Sequence, residues 1–384
     1  MRLDGFLYFF SFVCLISVLV ALFFYESILI IGLIVTPYAI FRLAWILTTA
    51  IRSLILFKVN PRGKAIFITG CDTGFGNETA LKLNKRGFRV IASCLFMDGP
   101  GAEKLRTEAV HKDRMHIVKL DVTNDVDINN AYNEVESILK LTEDQLYGLL
   151  NNAGIIYYGN IEFGDFNSHF HRVLDINALG PVRVTRKFLP LIRQSKGRIV
   201  IISSIAGRLM GMNLTSYCMS KFAARAFADG LRQEVDQFGV KVIDIEPSYA
   251  NTSLIDSNLI KKSFQRTVAN TPGEIVNAYG KNYLKKSDTL FNFLENFDLF
   301  WNKKFIHRRV VQTVQTAFLS TDPFSHYLVL CAGIRMLIFT LWALPEEIAL
   351  PFIRGIENVI MSVYAVCSRS SKKSKLPADY VIPV

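Results

Sequence analysis

The chain has 384 residues, 51% of them hydrophobic, and carries a formal net charge of +11. Its mean hydropathy of +0.27 exceeds what a soluble single-core enzyme shows, so a catalytic domain with added apolar segments is expected. The basic balance could address nucleic acid, but no nucleic-acid module or basic-aromatic strip accompanies it, which leaves membrane phosphates as the counter-surface.

In chain order, residues 6–25 are uninterrupted by charge and reach the length of about 20 needed to cross a bilayer, and residues 27–50 form a second such run containing only Arg42. A secretory signal peptide fits less well, because the first run lacks a small-residue cleavage site and more membrane-length sequence follows it. Residues 1–57 are therefore expected to anchor the protein. Arg42, Arg52, Lys58, Arg62 and Lys64 crowd the exit from the second run and place it in the cytosol if both runs cross; a single crossing puts the enzyme on the other side.

From residue 58 to 330, strand-like runs near 64–69, 89–93, 116–120, 147–151, 197–203, 241–246 and 327–330 alternate with helical runs. This pattern predicts an α/β domain, a doubly wound (Rossmann) parallel sheet of about seven strands. Between the first strand and first helix lies Thr69-Gly70-Cys71-Asp72-Thr73-Gly74-Phe75-Gly76. Glycines at 70, 74 and 76 permit a tight turn, close approach of backbone to a pyrophosphate and close helix packing, and the helix start offers unpaired N–H donors. Asp121, Asn151, Ser204 and Pro247 all fall at or just after predicted strand ends, where ligands of such sheets bind.

Tyr217 and Lys221 are four residues apart on a predicted helix, so they share a face. A phenol titrates near ~10, and an ammonium beneath it favours the phenolate, which suits it to exchange a proton with an alcohol or carbonyl. Tyr-x-x-x-Lys is common by itself; its company here carries the reading.

The glycine turn, Asn151-Asn152-Ala153-Gly154, Ser204 and Tyr217-x-x-x-Lys221, in this order and spacing, resemble the short-chain dehydrogenase/reductase family over residues 61–330. The glycine turn, Leu149-Leu150-Asn151-Asn152-Ala153-Gly154 and Gly99-Pro100-Gly101-Ala102-Glu103 are similar to its membrane-associated branch of retinol dehydrogenases, 17β-hydroxysteroid dehydrogenase type 2 and 3-hydroxybutyrate dehydrogenase. The resemblance implies Tyr217 as general acid/base, Lys221 as its activator and ribose ligand, Ser204 orienting the substrate oxygen with Ser203 a structural neighbour, and Asn177 holding a relay water. It implies cofactor contacts from Gly70, Asp72, Thr73, Gly74, Phe75, Gly76, Cys94, Asp121, Val122, Asn151, Ala153, Gly154, Pro247 and Thr252, together with Tyr217 and Lys221.

Two departures from the family pattern stand out. Ser248 replaces the glycine that follows the proline, which predicts a slightly rearranged loop. Cys94 stands where an acid usually grips the adenosine ribose. Asp72 would repel a 2′-phosphate and no Arg or Lys occurs at 71–73, so the expected cofactor is NAD, with NADP the alternative.

Residues 252–309 carry Phe264, Tyr279, Tyr283, Phe291, Phe293, Phe297, Phe300 and Trp301, read either as the wall of a pocket for a flat apolar ligand or as residues that form a lid core or rest on the membrane. Residues 331–384 form an amphiphilic extension, an interfacial helix or cleft cover over 332–350, and a basic tail. Cys14, Cys71, Cys94, Cys218, Cys331 and Cys367 lack Cys-x-x-Cys spacing and read as free thiols, with no zinc site and no disulfide framework. His169 and His171 are read as solvent-facing, not as metal ligands. The acceptor motifs at Asn77, Asn213 and Asn251 are read as incidental, since two fall in cofactor loops.

The expected protein is a membrane-bound NAD(P)-dependent oxidoreductase interconverting a lipophilic alcohol, steroid or retinoid, and its ketone or aldehyde. A 3-hydroxybutyrate-type dehydrogenase and an NADPH-dependent ketone reductase are the alternatives, and a catalytically idle membrane scaffold is the reading from another class. The endoplasmic reticulum is the expected membrane, the mitochondrion the alternative. The expected partners are the substrate and membrane lipid, with no nucleic acid; the resemblance adds a homodimer.

Overall fold

The computed structural model describes residues 58–330 except 212, 249, 251–256 and 297–302, together with positions 15, 18, 25, 36, 37, 40, 41, 43, 44 and 47; the side chains of 257–259, 281, 285, 286, 288–296 and 303 are also outside the description. The chain divides into two units, Met1–Lys58 and Val59–Val384. In the first, Leu15, Val18, Tyr25, Ile40, Phe41, Leu43 and Leu47 are helical with 53–64% of their surface exposed. Among the described residues no helix is long and apolar enough to cross a membrane. The expected spans at 6–25 and 27–50 lie, but for those isolated positions, outside the described residues, as does the extension from 331 onward.

In the second unit the elements run β1 (Lys64–Ile68), α1 (Gly74–Lys85), β2 (Arg89–Cys94), α2 (Pro100–Glu108), β3 (Met115–Lys119), α3 (Asp125–Thr142) and β4 (Gln145–Asn151). Wide π-helical turns at Asn167–His171 and Asp175–Leu179 lead into α4 (Gly180–Gln194). Then come β5 (Arg198–Ile202), α5 (Thr215–Val235), β6 (Lys241–Pro247), α6 (Ser257–Ala269), α7 (Gly273–Asn296), α8 (Lys303–Leu319) and β7 (His326–Val329). The seven strands form one parallel sheet in the order β3-β2-β1-β4-β5-β6-β7.

A parallel sheet is covered on both faces, so its strands are apolar throughout rather than alternating. Alternate residues feed two cores: Ile66, Ile68, Val90 and Ala92 pack against α1, α2 and α8 through Leu83, Leu105 and Phe318. Ala65, Phe67, Leu149 and Ile201 pack on the opposite side against α3, α4 and α5 through Val135, Phe188 and Leu231. The strand order reverses between β1 and β4, and a crevice opens beyond the carboxyl ends of the strands at such a switch point.

Outside the sheet, Tyr158, Phe163, Ile260 and Phe264 form a third, small core that joins the loop after β4 to α6 and α7. Helix α7 is broken at Gly280, whose φ of 78° is open to glycine without strain.

Candidate active site

The two loops at the switch point are sewn together by backbone-directed side chains. Thr69 Oγ1 accepts from the N–H groups of Asn152 and Ala153, both at 3.0 Å, and Asn152 Nδ2 donates to the carbonyls of Thr69 and Gly70, both at 2.9 Å. Gly70 has φ +70°, and a Cβ on it would lie 2.7 Å from Ala153 Cα; a Cβ on Gly76 would lie 2.4 Å from the Gly70 carbonyl oxygen. A side chain at Gly70 would push the turn off the loop after β4, and one at Gly76 would push helix α1 off the turn.

Helix α1 starts here with no acidic residue in its first turn and with Lys82 and Lys85 in its last, so its N–H groups and positive dipole end face the crevice uncompensated. Asp72 is held at the rim: its carboxylate accepts from the N–H groups of Leu95 and Phe96 at 3.0 Å. Asn77 Nδ2 donates to the carbonyls of Cys71 and Gly101 at 2.9 Å, which closes the underside.

Helix α5 carries Tyr217 and Lys221 across the crevice. The Lys221 ammonium lies 5.7 Å from the centre of the Tyr217 ring, is buried, and donates to the Ile202 carbonyl at 3.0 Å. Burial lowers the Lys221 ammonium to about 8, against the opposing influence of Asp244. Ser204 follows the end of β5; its Oγ accepts from the Ala206 N–H at 3.1 Å and donates to the Pro247 carbonyl at 3.4 Å. Ser203 Oγ turns to the protein interior and donates to Asp244 Oδ1 at 2.5 Å.

These groups line one cleft of about 720 Å³. Gly70, Asp72, Thr73, Gly74, Phe75, Asp121, Val122, Ala153, Gly154, Ser204, Tyr217, Lys221 and Pro247 face it, whereas Gly76 is packed beneath the turn. Asn177 sits behind the wall in the second π-helical turn. Its Oδ1 accepts from the Ile155 N–H at 2.8 Å and its Nδ2 donates to the Ile155 carbonyl at 2.8 Å and Ser220 Oγ at 2.9 Å. The Asn177 amide thus clamps the loop after β4 to helix α5.

Several expectations are corrected. Cys94 is the last residue of β2 and points into the core, fully buried, its thiol pushed up to about 12 by that burial; Leu95 and Phe96, one and two residues on, line the cleft instead. Asn151 is buried and donates to Thr185 Oγ1 at 2.9 Å on α4, while Asn152 faces the cleft. In both places the two-residue alternation of a strand exit sends adjacent side chains to opposite sides. Thr252 lies outside the described residues.

His169 is not solvent-facing: it is 1% exposed, its ring centre 4.4 Å from that of Tyr157 and tilted 33° to it, with Nδ1 3.0 Å from the Phe163 carbonyl oxygen. His171 is exposed at the cleft mouth. Phe264 belongs to the third core, and Tyr279 and Tyr283 donate to Glu162 and Asn160 at 2.9 Å, so these aromatics tie the lid helices to the loop after β4. Among the described residues of 257–309, none lines the cleft; its apolar wall is Ile155, Ile156, Tyr158, Ile205 and Leu214, which the sequence reading did not single out. Ser248 keeps β6 in register by donating its N–H to the Val329 carbonyl at 3.1 Å, and it is not among the described non-glycine residues with positive φ. Asn77 and Asn213 are buried and hydrogen-bonded, which removes them as glycan acceptors; Asn251 lies outside the described residues. Cys71, Cys94 and Cys218 are free thiols.

A doubly wound parallel sheet with a glycine turn at its switch point defines the class of nucleotide-binding α/β proteins. Residues 64–262 match the family model described as short chain dehydrogenase, and the chain belongs to that family. It is 39% identical over 223 residues to the mitochondrial D-beta-hydroxybutyrate dehydrogenase of Rattus norvegicus, covering 58% of this chain and 65% of that protein. It is 39% identical over 238 residues to retinol dehydrogenase 5 of Homo sapiens, covering 61% of this chain and 73% of that one. A short-chain dehydrogenase from Streptomyces avermitilis superposes with TM-score 0.56 at 21% identity, over 81% of this chain and 98% of that one, and shares the fold.

Proposed function

We propose that this chain is a membrane-associated dehydrogenase that oxidises a lipophilic alcohol, a steroid or retinoid, with NAD. The observation that carries the reading is the buried Lys221 ammonium beneath the Tyr217 ring in the same cleft as Ser204, facing a glycine turn whose helix start is uncompensated.

The cleft fits a dinucleotide. Its glycine turn leaves no room for a Cβ at Gly70 or Gly76, the α1 N-terminus offers N–H donors to a pyrophosphate, and Asp72 and Asp121 line the cleft, where they would face the adenosine. Gly70, Thr73, Gly74 and Phe75 would hold the phosphates, Asp121 and Val122 the adenine, and Lys221, Ala153, Gly154 and Pro247 the nicotinamide half. When bound, the nicotinamide supplies the hydride acceptor. Asp72, anchored by Leu95 and Phe96, disfavours a 2′-phosphate, so NAD is preferred over NADP.

In the reaction, Ser204 Oγ hydrogen-bonds the substrate oxygen while the Tyr217 phenolate takes the hydroxyl proton. The Lys221 ammonium stabilises that phenolate, and Asn177 holds the Gly154–Ile155 backbone against α5 so that the cleft keeps its width. Reversal of the same proton path reduces a ketone or aldehyde.

The apolar wall of Ile155, Ile156, Tyr158, Ile205 and Leu214 suits a hydrophobic alcohol, and exposed apolar helical residues before 58 suit a membrane surface. The relatives include proteins named for retinol and for D-beta-hydroxybutyrate, so a small hydroxy acid is the second reading. Membranes carrying the protein, offered NAD or NADP with all-trans-retinol, estradiol, an androgen diol or 3-hydroxybutyrate, separate these: the proposal expects NAD reduction with a retinoid or steroid, and turnover of 3-hydroxybutyrate alone overturns the lipophilic substrate.

A further inference from the structure

Asp244 is an anomaly of sequence. It stands in the middle of β6, between Ile243 and Ile245, in a strand that the sheet buries on both faces, and it is 0% exposed. A buried carboxylate is costly unless it is paired and hydrogen-bonded. Its neighbours Ile243 and Ile245 are aliphatic, and Glu246, two residues on, is a second fully buried acid of the same strand.

Its surroundings connect it to the active site. Register pairs Asp244 with Ile201 and Ile245 with Ile202. The next residue, Ser203, is tied to β6 twice: its N–H donates to the Ile245 carbonyl at 3.0 Å and its Oγ–H to Asp244 Oδ1 at 2.5 Å. On one side of Ser203 is the Ile202 carbonyl, which receives the Lys221 ammonium at 3.0 Å; on the other is Ser204. Asp244 therefore grips the single turn of chain that carries both the anchor of Lys221 and Ser204.

The other acids around Asp244 have basic partners of their own. Arg208, from the turn after Ser204, forks onto both oxygens of Glu246 on β6. On α5, Asp229 takes Arg232 at 2.7 Å, with Arg225 nearby, and also meets His326 Nε2 from β7 at 3.1 Å. Beyond Ser203, the charged group facing Asp244 is His326, whose Nδ1 lies 3.7 Å from Asp244 Oδ2 and 3.6 Å from Glu246 Oε1.

We propose that Asp244 is a positioning residue of the active site: through Ser203 it fixes the Ile202–Ser204 turn, and with it the carbonyl that anchors the Lys221 ammonium beneath Tyr217. The proposal rests on the dehydrogenase reading for its effect on turnover, but its effect on the Tyr217 titration, through the anchor of Lys221, is independent of substrate. A purely structural ion-pair role would act through His326 and β7, and substitution of His326 would then reproduce the loss of Asp244.

The test uses the full chain in detergent. Tyrosinate ultraviolet absorbance is titrated for each protein and its Tyr217→Phe counterpart, and the difference reports Tyr217, whose midpoint depends on Lys221 staying anchored to the Ile202 carbonyl; alcohol oxidation is measured over the same pH range. For Asp244→Asn the Tyr217 midpoint is expected to rise by about one pH unit, with turnover at neutral pH falling about tenfold and cofactor affinity unchanged. Asp244→Glu restores part of the shift, and His326→Gln leaves the midpoint in place. An unshifted midpoint in folded Asp244→Asn overturns the proposal, and so does the same shift in His326→Gln. If Asp244→Asn does not fold, Ser203→Ala is used: lower turnover at every pH supports the grip on the turn, and parental turnover overturns it. Absence of turnover with every alcohol in the parent protein would count against the dehydrogenase reading alone, because the tyrosinate titration still tests Asp244.

Discussion

The Lys221 ammonium sits 5.7 Å from the centre of the Tyr217 ring while donating to the Ile202 carbonyl, so one buried cation joins helix α5 to the end of strand β5. Its burial is a cost to the fold. The folded ammonium, at about 8, lies below its unfolded value of 10.5, so between those values the unfolded chain binds more protons and stability rises with pH. Lys221→Met should therefore raise stability at neutral pH by on the order of 2 kcal/mol, and lower turnover by about 100-fold or more. Thermal melts and initial rates of the same preparation check both signs.

His326 acts in the opposite sense. Asp244 and Glu246 hold its imidazole up at about 9, above the ordinary 6.5. A raised folded value contributes stability that is complete below 6.5 and lost as pH rises through 9. With 31% of the side chain exposed, the contribution is on the order of 1–2 kcal/mol. The difference in melting temperature between parent and His326→Gln should be largest below about pH 6.5, shrink as pH rises and vanish above the folded value; a difference independent of pH would contradict it.

Gly101 packs its backbone on the glycine turn, and a Cβ there would lie 1.9 Å from the Asp72 carbonyl oxygen. Gly101→Ala must push α2 off the turn, at a cost of about 1–3 kcal/mol. Cofactor affinity should fall with it, measurable by quenching of intrinsic fluorescence.

Asp72 ties the turn to the segment after β2 and gives the rim its negative charge. Asp72→Ala should weaken NAD binding and narrow the preference for NAD over NADP by about tenfold, the worth of ~1.4 kcal/mol. Titration with both cofactors checks it; an unchanged ratio would place selectivity elsewhere.

The sheet was legible in the sequence because buried parallel strands are apolar runs, and the observed bounds fall within about two residues of the expected ones. That Ser204, Tyr217 and Lys221 share one cleft was legible because residue type and helical spacing are written in the sequence. What escaped was facing. Cys94 against Leu95, and Asn151 against Asn152, differ by one position at a strand exit, and a string of letters does not say which of two neighbours turns inward. The lid aromatics carried a composition that fits a pocket wall or a packed cluster equally, and for Phe264 contact with Phe163 at 6.3 Å between ring centres decided for the cluster. Asp244 passed unremarked as one polar letter in a strand; its meaning depends on Ser203 and Lys221, neither of which is near it in sequence.

The most direct test of the account compares NAD reduction by membranes carrying the parent chain or Tyr217→Phe, with a retinoid or steroid alcohol as donor and cofactor binding measured alongside. The account predicts that the variant binds NAD and loses turnover by about 100-fold or more. Equal turnover in a folded, NAD-binding Tyr217→Phe protein would contradict the assignment of Tyr217 and with it the proposed reaction.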